Sequence, residues 1–292
     1  MKKYDNIIKN HYDDVASNFG ASPSSTMEDR SIRNKETELI VTAINQYITS
    51  IEAKEDEENT FDLLDVGCGN GYTLSCICDK LTSIHAEGVE YNDNLREIAK
   101  NRFSKGEVFI YKGDIRSSTS LPKKKYDVLL CQRVLINILD RADQKIALEN
   151  LLDLVKHEGL LIFIESFLSG LDALNAARKE FELEATPAAY HNLYLEDDFF
   201  VYPQLKQLFF FPENIFSTHY FISRVFHASY TASLNKEGKK NSHFVSFFSQ
   251  ALPDAIGNFS PLRFLTFQKI ETLPPQSRIN IINPLFCGAA AS

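Results

Sequence analysis

Hydrophobic positions change their spacing twice along the chain. From Asp5 to Phe19, the residues Ile7, Ile8, Tyr12, Val15 and Phe19 recur as on one face of an amphipathic helix. A polar turn, Ala21-Ser22-Pro23-Ser24-Ser25, precedes a second helical stripe through Ile32, Leu39, Ile40, Ala43, Ile44, Tyr47 and Ile48. The acidic run Glu52–Glu58 then reads as a solvated linker. From Phe61 onward, short runs that are apolar almost throughout return about every twenty residues, the rhythm of βαβ units. They predict strands at Phe61–Val66, His85–Glu90, Glu107–Tyr111, Tyr126–Cys131 and Leu160–Glu165, with helices between them, clearest over Asn92–Arg102 and Arg141–Lys156. Because these runs do not alternate, they suit strands covered on both faces. The expected fold is therefore α/β, a Rossmann-like, doubly wound and mostly parallel sheet.

After Glu165 the rhythm breaks. Phe167–Leu183 has a helical pattern, Pro187–Asp198 is rich in aromatics and histidine, and apolar runs return at Leu205–Phe211 and His219–His227. Joined through Pro212-Glu213-Asn214, the last two predict a closing antiparallel hairpin; a helix is expected over Ser242–Leu252. This divides the chain into an N-terminal helical cap and acidic linker (1–60), a core (61–230) with a lid insertion (166–204), and a C-terminal extension packed on the core (231–292).

Composition narrows the partners. With 44% hydrophobic residues, 22 Phe and 12 Tyr, the chain has ample material for a core. A net charge of −8, with basic runs only at Lys123-Lys124-Lys125 and Lys239-Lys240, argues against a nucleic-acid partner. The N-terminus lacks the apolar stretch of a signal peptide, and runs such as Leu160–Ile164 fall far short of the roughly 20 residues a membrane span needs. The five cysteines (Cys68, Cys76, Cys78, Cys131, Cys287) show no paired CxxC spacing and read as thiols of a reducing, cytoplasmic compartment. No His, Asp or Glu cluster has metal spacing, so no metal is expected.

The strongest chemical signal is Leu63-Leu64-Asp65-Val66-Gly67-Cys68-Gly69-Asn70-Gly71, a strand that ends in a glycine loop. Such a loop lets a ligand approach the backbone with no Cβ in the way, or simply makes a tight strand-to-helix turn. A dinucleotide fingerprint would need glycine at position 72, where Tyr72 stands. At the end of the next strand lies Gly88-Val89-Glu90-Tyr91, where an acid accepts hydrogen bonds from ribose hydroxyls or is only a solvated strand end. After the third strand, Gly113-Asp114-Ile115 could bond an adenine amino group and pack its ring.

With these motifs in place the sequence resembles the class I S-adenosylmethionine (SAM)-dependent methyltransferases over roughly Phe61 to Glu165. It carries their glycine motif, their ribose acid (Glu90), their adenine acid (Asp114) and the fourth-strand segment Tyr126–Cys131. The segment His11-Tyr12-Asp13-Asp14-Val15-Ala16 is similar to the N-terminal helix that folds over the cofactor in small-molecule members. Gln132–Asn137, with Gly170-Leu171, Leu174-Asn175, Arg178 and His191-Asn192-Leu193-Tyr194, resembles bacterial members of surface-polysaccharide biosynthesis. The resemblance implies SAM as cofactor. It assigns to SAM Tyr12, Asp65, Gly67, Cys68, Gly69, Gly71, Glu90, Tyr91, Asp114, Ile115, Cys131 and Gln132, and to a small acceptor Arg133, Asn137, Arg178, Asn192 and Tyr194. The implied reaction moves the methyl group to O or N of a sugar, nucleotide-sugar or phospho-linked metabolite.

Such a transfer needs a base only where the acceptor is a hydroxyl or a protonated amine. His191 is the candidate, or else a lid histidine with structural hydrogen bonds. Glu165 could bind or deprotonate an amine, or cap the following helix. Arg133 and Arg178 could clamp a phosphate or carboxylate, or form structural ion pairs. The aromatic stretch from Tyr194 through Phe199, Phe200 and Tyr202 to Phe211 is a sugar-stacking platform or core filling. Two other functions compete: a non-catalytic SAM-binding or scaffolding protein, and an NAD(P)-dependent oxidoreductase. The glycine spacing and the lack of a Tyr-x-x-x-Lys pair speak against the second.

Overall fold

A computed structural model describes residues 2, 4–25, 27–55, 59–236 and 238–271. Cys287, the end of the acidic run (56–58) and the last part of the C-terminal extension (272–292) lie outside the described residues.

Two helices open the chain, α1 (Asp5–Phe19) and α2 (Arg30–Glu55), so the acidic run begins as the last turn of α2. The alternation follows: β1 (Phe61–Val66), α3 (Tyr72–Lys80), β2 (Ile84–Glu90), α4 (Asp93–Arg102), β3 (Phe109–Lys112), β4 (Tyr126–Gln132), α5 (Arg141–Asp153) and β5 (Val155–Ser166). Helix starts sit where short polar side chains can cap: Asn92 accepts from the Leu95 N–H at 2.9 Å, and Asp140 from that of Asp143 at 3.0 Å. Beyond β5 come α6 (Leu168–Glu180), β6 (Leu205–Leu208), α7 (Ser217–Phe221), a π-helical turn (Ile222–Phe226), α8 (His227–Ser233), α9 (His243–Ala251) and β7 (Leu262–Lys269).

The sheet has seven strands in the order β3-β2-β1-β4-β5-β7-β6. The first five are parallel, while β7 pairs antiparallel with both β5 and β6. Successive residues of one strand point to opposite faces, and each face carries its own core. Leu63, Val128, Leu130 and Ile162 pack with Ile40, Ile44 and Ile77 on one side. Leu64, Leu129, Leu161 and Phe163 pack with Leu148, Leu151, Phe199 and Phe200 on the other. Phe200 lies 4.6 Å from Phe163, ring centre to ring centre, so this part of the aromatic stretch fills core.

One expected strand is corrected. His219–His227 is helical, and the antiparallel partner of β6 is β7, contributed from beyond residue 230 where the sequence suggested only an extension. An apolar run of this length fits a strand or a buried helix equally well. Here the i, i+4 pairs decide: the Ser223 hydroxyl donates to the His219 carbonyl at 2.6 Å, and that of Thr231 to the His227 carbonyl at 2.9 Å.

Candidate active site

Strand order reverses between β1 and β4, and an open α/β sheet binds ligands at the carboxyl ends beside such a reversal. A cleft of about 1050 Å³ opens there. Gly67, Cys68 and Gly69 enter it from the end of β1, Glu90 and Tyr91 from β2, Asp114 and Ile115 from beyond β3, and Gln132 and Arg133 from β4. Tyr4, Asp5, Ile8, Lys9 and Tyr12 of the N-terminal segment complete the wall. Gly69 has a φ of +57°, a conformation that favours glycine, and its N–H donates to Glu90 Oε2 at 2.8 Å. Glu90 Oε1 accepts from the Asn92 N–H at 2.7 Å, so one carboxylate ties the glycine loop to the end of β2. Burial raises the Glu90 pKa against the pull of these N–H groups.

Gly71 is placed differently. It opens α3 at a φ of +75°, outside the cleft, where a Cβ would stand 3.0 Å from the Phe103 ring. It serves helix packing. Cys131 also lies outside, fully buried with its thiol 3.6 Å from Glu165.

Two charged groups face the cleft with valences to spare. The buried carboxylate of Asp65 accepts no hydrogen bond among the described residues, and burial raises its pKa to about 7. Arg33, from α2, is also buried; its Nη1 donates to Gln132 Oε1 at 3.3 Å, but its Nε has no partner. An unpaired carboxylate and a half-paired guanidinium in one cleft match the ammonium and carboxylate of an amino-acid moiety. A cation pairs with Asp65 only when Asp65 is ionised. Affinity for an amino-acid-bearing cofactor is therefore expected to fall progressively, by up to about tenfold per unit, as pH drops below about 7. Asp65→Asn should remove that slope in calorimetric titrations from pH 5.5 to 8; a slope unchanged in the variant would assign it to another group.

Asp114 is already engaged. Arg116 Nε donates to it at 2.9 and 3.1 Å, and Arg116 Nη1 reaches the Tyr4 hydroxyl at 3.0 Å and Asp5 at 2.6 Å. This arginine joins the loop after β3 to the start of α1. On the other side, the Tyr12 hydroxyl accepts from Asn137 Nδ2 at 2.7 Å, and burial raises its pKa to about 12. Arg133, at a φ of +57°, pairs with the fully buried Glu36 of α2, which also accepts from Gln132 Nε2 at 2.8 Å.

A smaller cleft of about 530 Å³ adjoins the first and shares Tyr12, Arg133 and Asn137 with it. Its other walls are His11, Val15, Ser25, Met27, Ile136, His191 and Asn192. His11 and His191 stack with ring centres 3.6 Å apart and planes inclined by 19°. Burial, reinforced by His11, lowers the His191 pKa to about 4, and burial lowers that of His11 as well. Eight buried side-chain atoms among the described residues lack a hydrogen-bond partner; four of them, Ser25 Oγ, Asn137 Oδ1, His191 Nδ1 and Asn192 Oδ1, belong to residues that line this cleft.

Glu165, Arg178 and Tyr194 line neither cleft. The fully buried Glu165 accepts from the N–H groups of Val134, Leu135 and Ile136 at 2.9, 3.0 and 3.3 Å. It caps the turn after β4, not the helix after β5, and burial raises its pKa to about 7. Arg178 donates to the carbonyls of Glu184 and Arg224, a brace for the main chain. Tyr194 supplies its carbonyl to Arg141. Ser25, Met27, Arg33 and Glu36, which do face the site or support it, carry no motif, whereas His11 belongs to the segment that resembles an N-terminal cofactor-covering helix.

A reversing α/β sheet with an acid-tied glycine loop is a setting in which nucleotide cofactors bind. Residues 63–159 match the family model described as a methyltransferase domain. Magnesium protoporphyrin IX methyltransferase from Synechocystis PCC 6803, solved with bound SAH, is 12% identical over 91% of this chain and 99% of that one, with a TM-score of 0.54. An amino pentose methyltransferase from Micromonospora echinaspora, solved with bound SAM, is 22% identical over 44% of this chain and 49% of that one (TM-score 0.36). The sugar N-methyltransferase KedS8 from Streptoalloteichus sp ATCC 53650 is 19% identical over 44% and 46% (TM-score 0.36). The chain spans about half the length of these last two. No curated protein matches the sequence. Residues 63–159 are thus similar to a methyltransferase domain.

Proposed function

We propose that the protein transfers the methyl group of SAM to an oxygen or nitrogen of a small polar acceptor held in the smaller cleft. The observation that carries this reading is the shared wall: Tyr12, Arg133 and Asn137 border both the cofactor cleft and a second, polar one. Around the cofactor, Asp65 and Arg33 hold the amino-acid end, Glu90 the ribose and Ile115 the adenine face. Asp114 reaches the adenine by sharing its carboxylate with Arg116. When bound, SAM supplies a methyl carbon that is already activated. The chain then has to hold the acceptor in line and keep water out. The α1 segment and the lid insertion, which meet through His11 and His191, serve the second purpose.

For a hydroxyl acceptor, neutral His191 takes the proton while the oxygen–carbon bond forms and the carbon–sulfur bond breaks, its electron pair leaving with sulfur. Glu165 positions the turn that carries Arg133 and Asn137 without touching the reacting atoms. The acceptors we propose are sugars, nucleotide-sugars and phospho-linked metabolites of surface-glycan biosynthesis. Support comes from the segments that carry that resemblance, which meet at the smaller cleft in Arg133, Asn137, His191 and Asn192. A cytoplasmic setting goes with this reading and with four free thiols among the described residues, where no helix is long and apolar enough to cross a membrane.

Calorimetry tests the cofactor, and release of S-adenosylhomocysteine (SAH) from SAM tests the transfer. SAM and SAH are expected to bind and NAD not to. Binding of NAD without SAM would overturn the proposal, and SAM binding without turnover on any acceptor would favour a scaffolding role.

A further inference from the structure

Helix α9 carries its aromatic side outward. The Ser242 hydroxyl caps it, accepting the Val245 N–H at 3.2 Å. The side it lays on the protein holds Val245, fully buried, and Ser249 one turn further on, whose Oγ lies 3.1 Å from His219 Nδ1. Phe247, two positions on from Val245, therefore stands on the far side of the helix, where it is 57% exposed. The Phe248 ring lies 5.2 Å from that of Phe247 and 4.6 Å from that of Phe244, centre to centre. From the preceding π-helical turn and α8, Phe226 and Tyr230 continue the run, 5.9 and 6.2 Å from Phe244. They are 42% and 54% exposed, and none of these rings lines either cleft. A protein in water seldom exposes a contiguous apolar face of this kind unless another surface takes it up.

The loop between α8 and α9 sets charge beside the rings. Lys236, Lys239 and Lys240 are all exposed, and Glu237 is the one acid between Phe226 and Leu252. Among the described residues Lys236 and Lys239 form no ion pair, and Lys240 forms an exposed one with Glu28 at 3.5 Å. In a chain of net charge −8 this margin is locally positive. Lysine is depleted where two proteins meet. A bilayer surface, in contrast, takes aromatic rings at headgroup depth and lysines at anionic phosphates. With seven and nine residues, α8 and α9 are long enough to lie along such a surface and far too short to cross it.

We propose that this face, with Phe226, Tyr230, Phe244, Phe247 and Phe248 at its centre and the three lysines on its margin, docks on a bilayer that carries anionic lipid. The rings enter the headgroup region while the lysines meet lipid phosphates. Asn241 accepts the Arg30 N–H at 3.0 Å and donates to the Glu28 carbonyl at 3.2 Å. The docking face is thereby tied to the segment that follows Ser25 and Met27 of the smaller cleft. Docking needs neither cofactor nor acceptor, so it stands or falls apart from methyl transfer.

The test floats the full chain with phosphatidylcholine vesicles and with mixed phosphatidylcholine–phosphatidylglycerol vesicles, at low and at physiological salt. Binding to the anionic vesicles is expected to be at least about tenfold tighter than to the neutral ones and to weaken as salt rises. Tyr230→Ser combined with Phe247→Ser, and separately Lys239→Glu combined with Lys240→Glu, should each weaken it by about tenfold or more at an unchanged melting temperature. Phe109→Ser, which removes an exposed ring from the edge strand β3, should leave it within about twofold. No binding to anionic vesicles, equal binding to neutral ones, or binding that both double variants retain overturns the proposal. So does a concentration-dependent dimer in sedimentation velocity that Phe247→Ser abolishes, with no vesicle binding, which assigns the face to a second copy of the chain.

Discussion

Replacing Glu90 by alanine is expected to raise the dissociation constant for SAM by about 10²–10³-fold. Two ribose hydroxyls donating to a carboxylate contribute about 1.5–3 kcal/mol each, less what water recovers in the variant, and 2.7–4 kcal/mol corresponds to that range. A second effect adds to the first. Glu90 also accepts the N–H groups of Gly69 and Asn92, so the alanine variant frees the glycine loop as well as removing the ribose contacts. Glu90→Gln separates the two. Its carbonyl oxygen retains an acceptor, while its amide places a donor against an N–H, so an intermediate affinity is expected. Calorimetry with parallel melting curves decides the matter. An alanine variant that binds SAM like the parent would make Glu90 a loop tie with no part in the cofactor site.

The extent to which this architecture can be read from sequence follows from where each signal comes from. Strands β1, β2, β4 and β5 announce themselves because burial on both faces leaves runs with no polar alternation. The glycine loop and Glu90 are legible because their spacing is set by one strand–helix–strand unit. His219–His227 misleads because its buried face is built from His219, Ser223 and His227 on a helix, interleaved with apolar residues that by themselves fit a strand. β7 stays hidden because its partners, β5 and β6, lie far off in sequence, and pairing of that range leaves no local period. The site divides in the same way. Arg33, Glu36 and Ser25 belong to helix α2 and the loop before it; Arg33 and Ser25 reach the clefts, and Glu36 supports Arg133 and Gln132, because α2 packs beside the carboxyl end of β4. Arg178 fits the clamp pattern by type alone, but its guanidinium is spent on two carbonyls.

His191→Ala should lower turnover by about 10²–10⁴-fold, the usual contribution of a positioned base, while SAH affinity stays within about twofold. The asymmetry follows from placement: His191 lines only the smaller cleft, and it meets the N-terminal helix by stacking on the His11 ring and, edge-on, at the Tyr12 ring. The pH dependence gives an independent check. Burial holds the His191 pKa near 4, so the base remains unprotonated at neutral pH and turnover at saturating SAM should decline only as pH approaches 4, well below the ordinary histidine value of about 6.5. The same shift acts on stability. Between about 6.5 and 4 the unfolded chain binds a proton that folded His191 does not, so this group's contribution is full above 6.5 and is lost as pH falls through that window. Glu165, raised to about 7, acts in the opposite sense: the folded chain holds its proton longer, and stability falls as pH rises from the ordinary glutamate value towards 7. The difference between parent and His191→Ala melting temperatures isolates the histidine, and that difference should shrink as pH is lowered from 6.5 to 4. If His191 only packs the lid, the alanine variant loses melting temperature and SAH affinity together and keeps its rate per bound cofactor. Turnover near the parent rate, with cofactor binding intact, removes His191 from the chemistry. It leaves an acceptor that needs no base, such as a neutral amine.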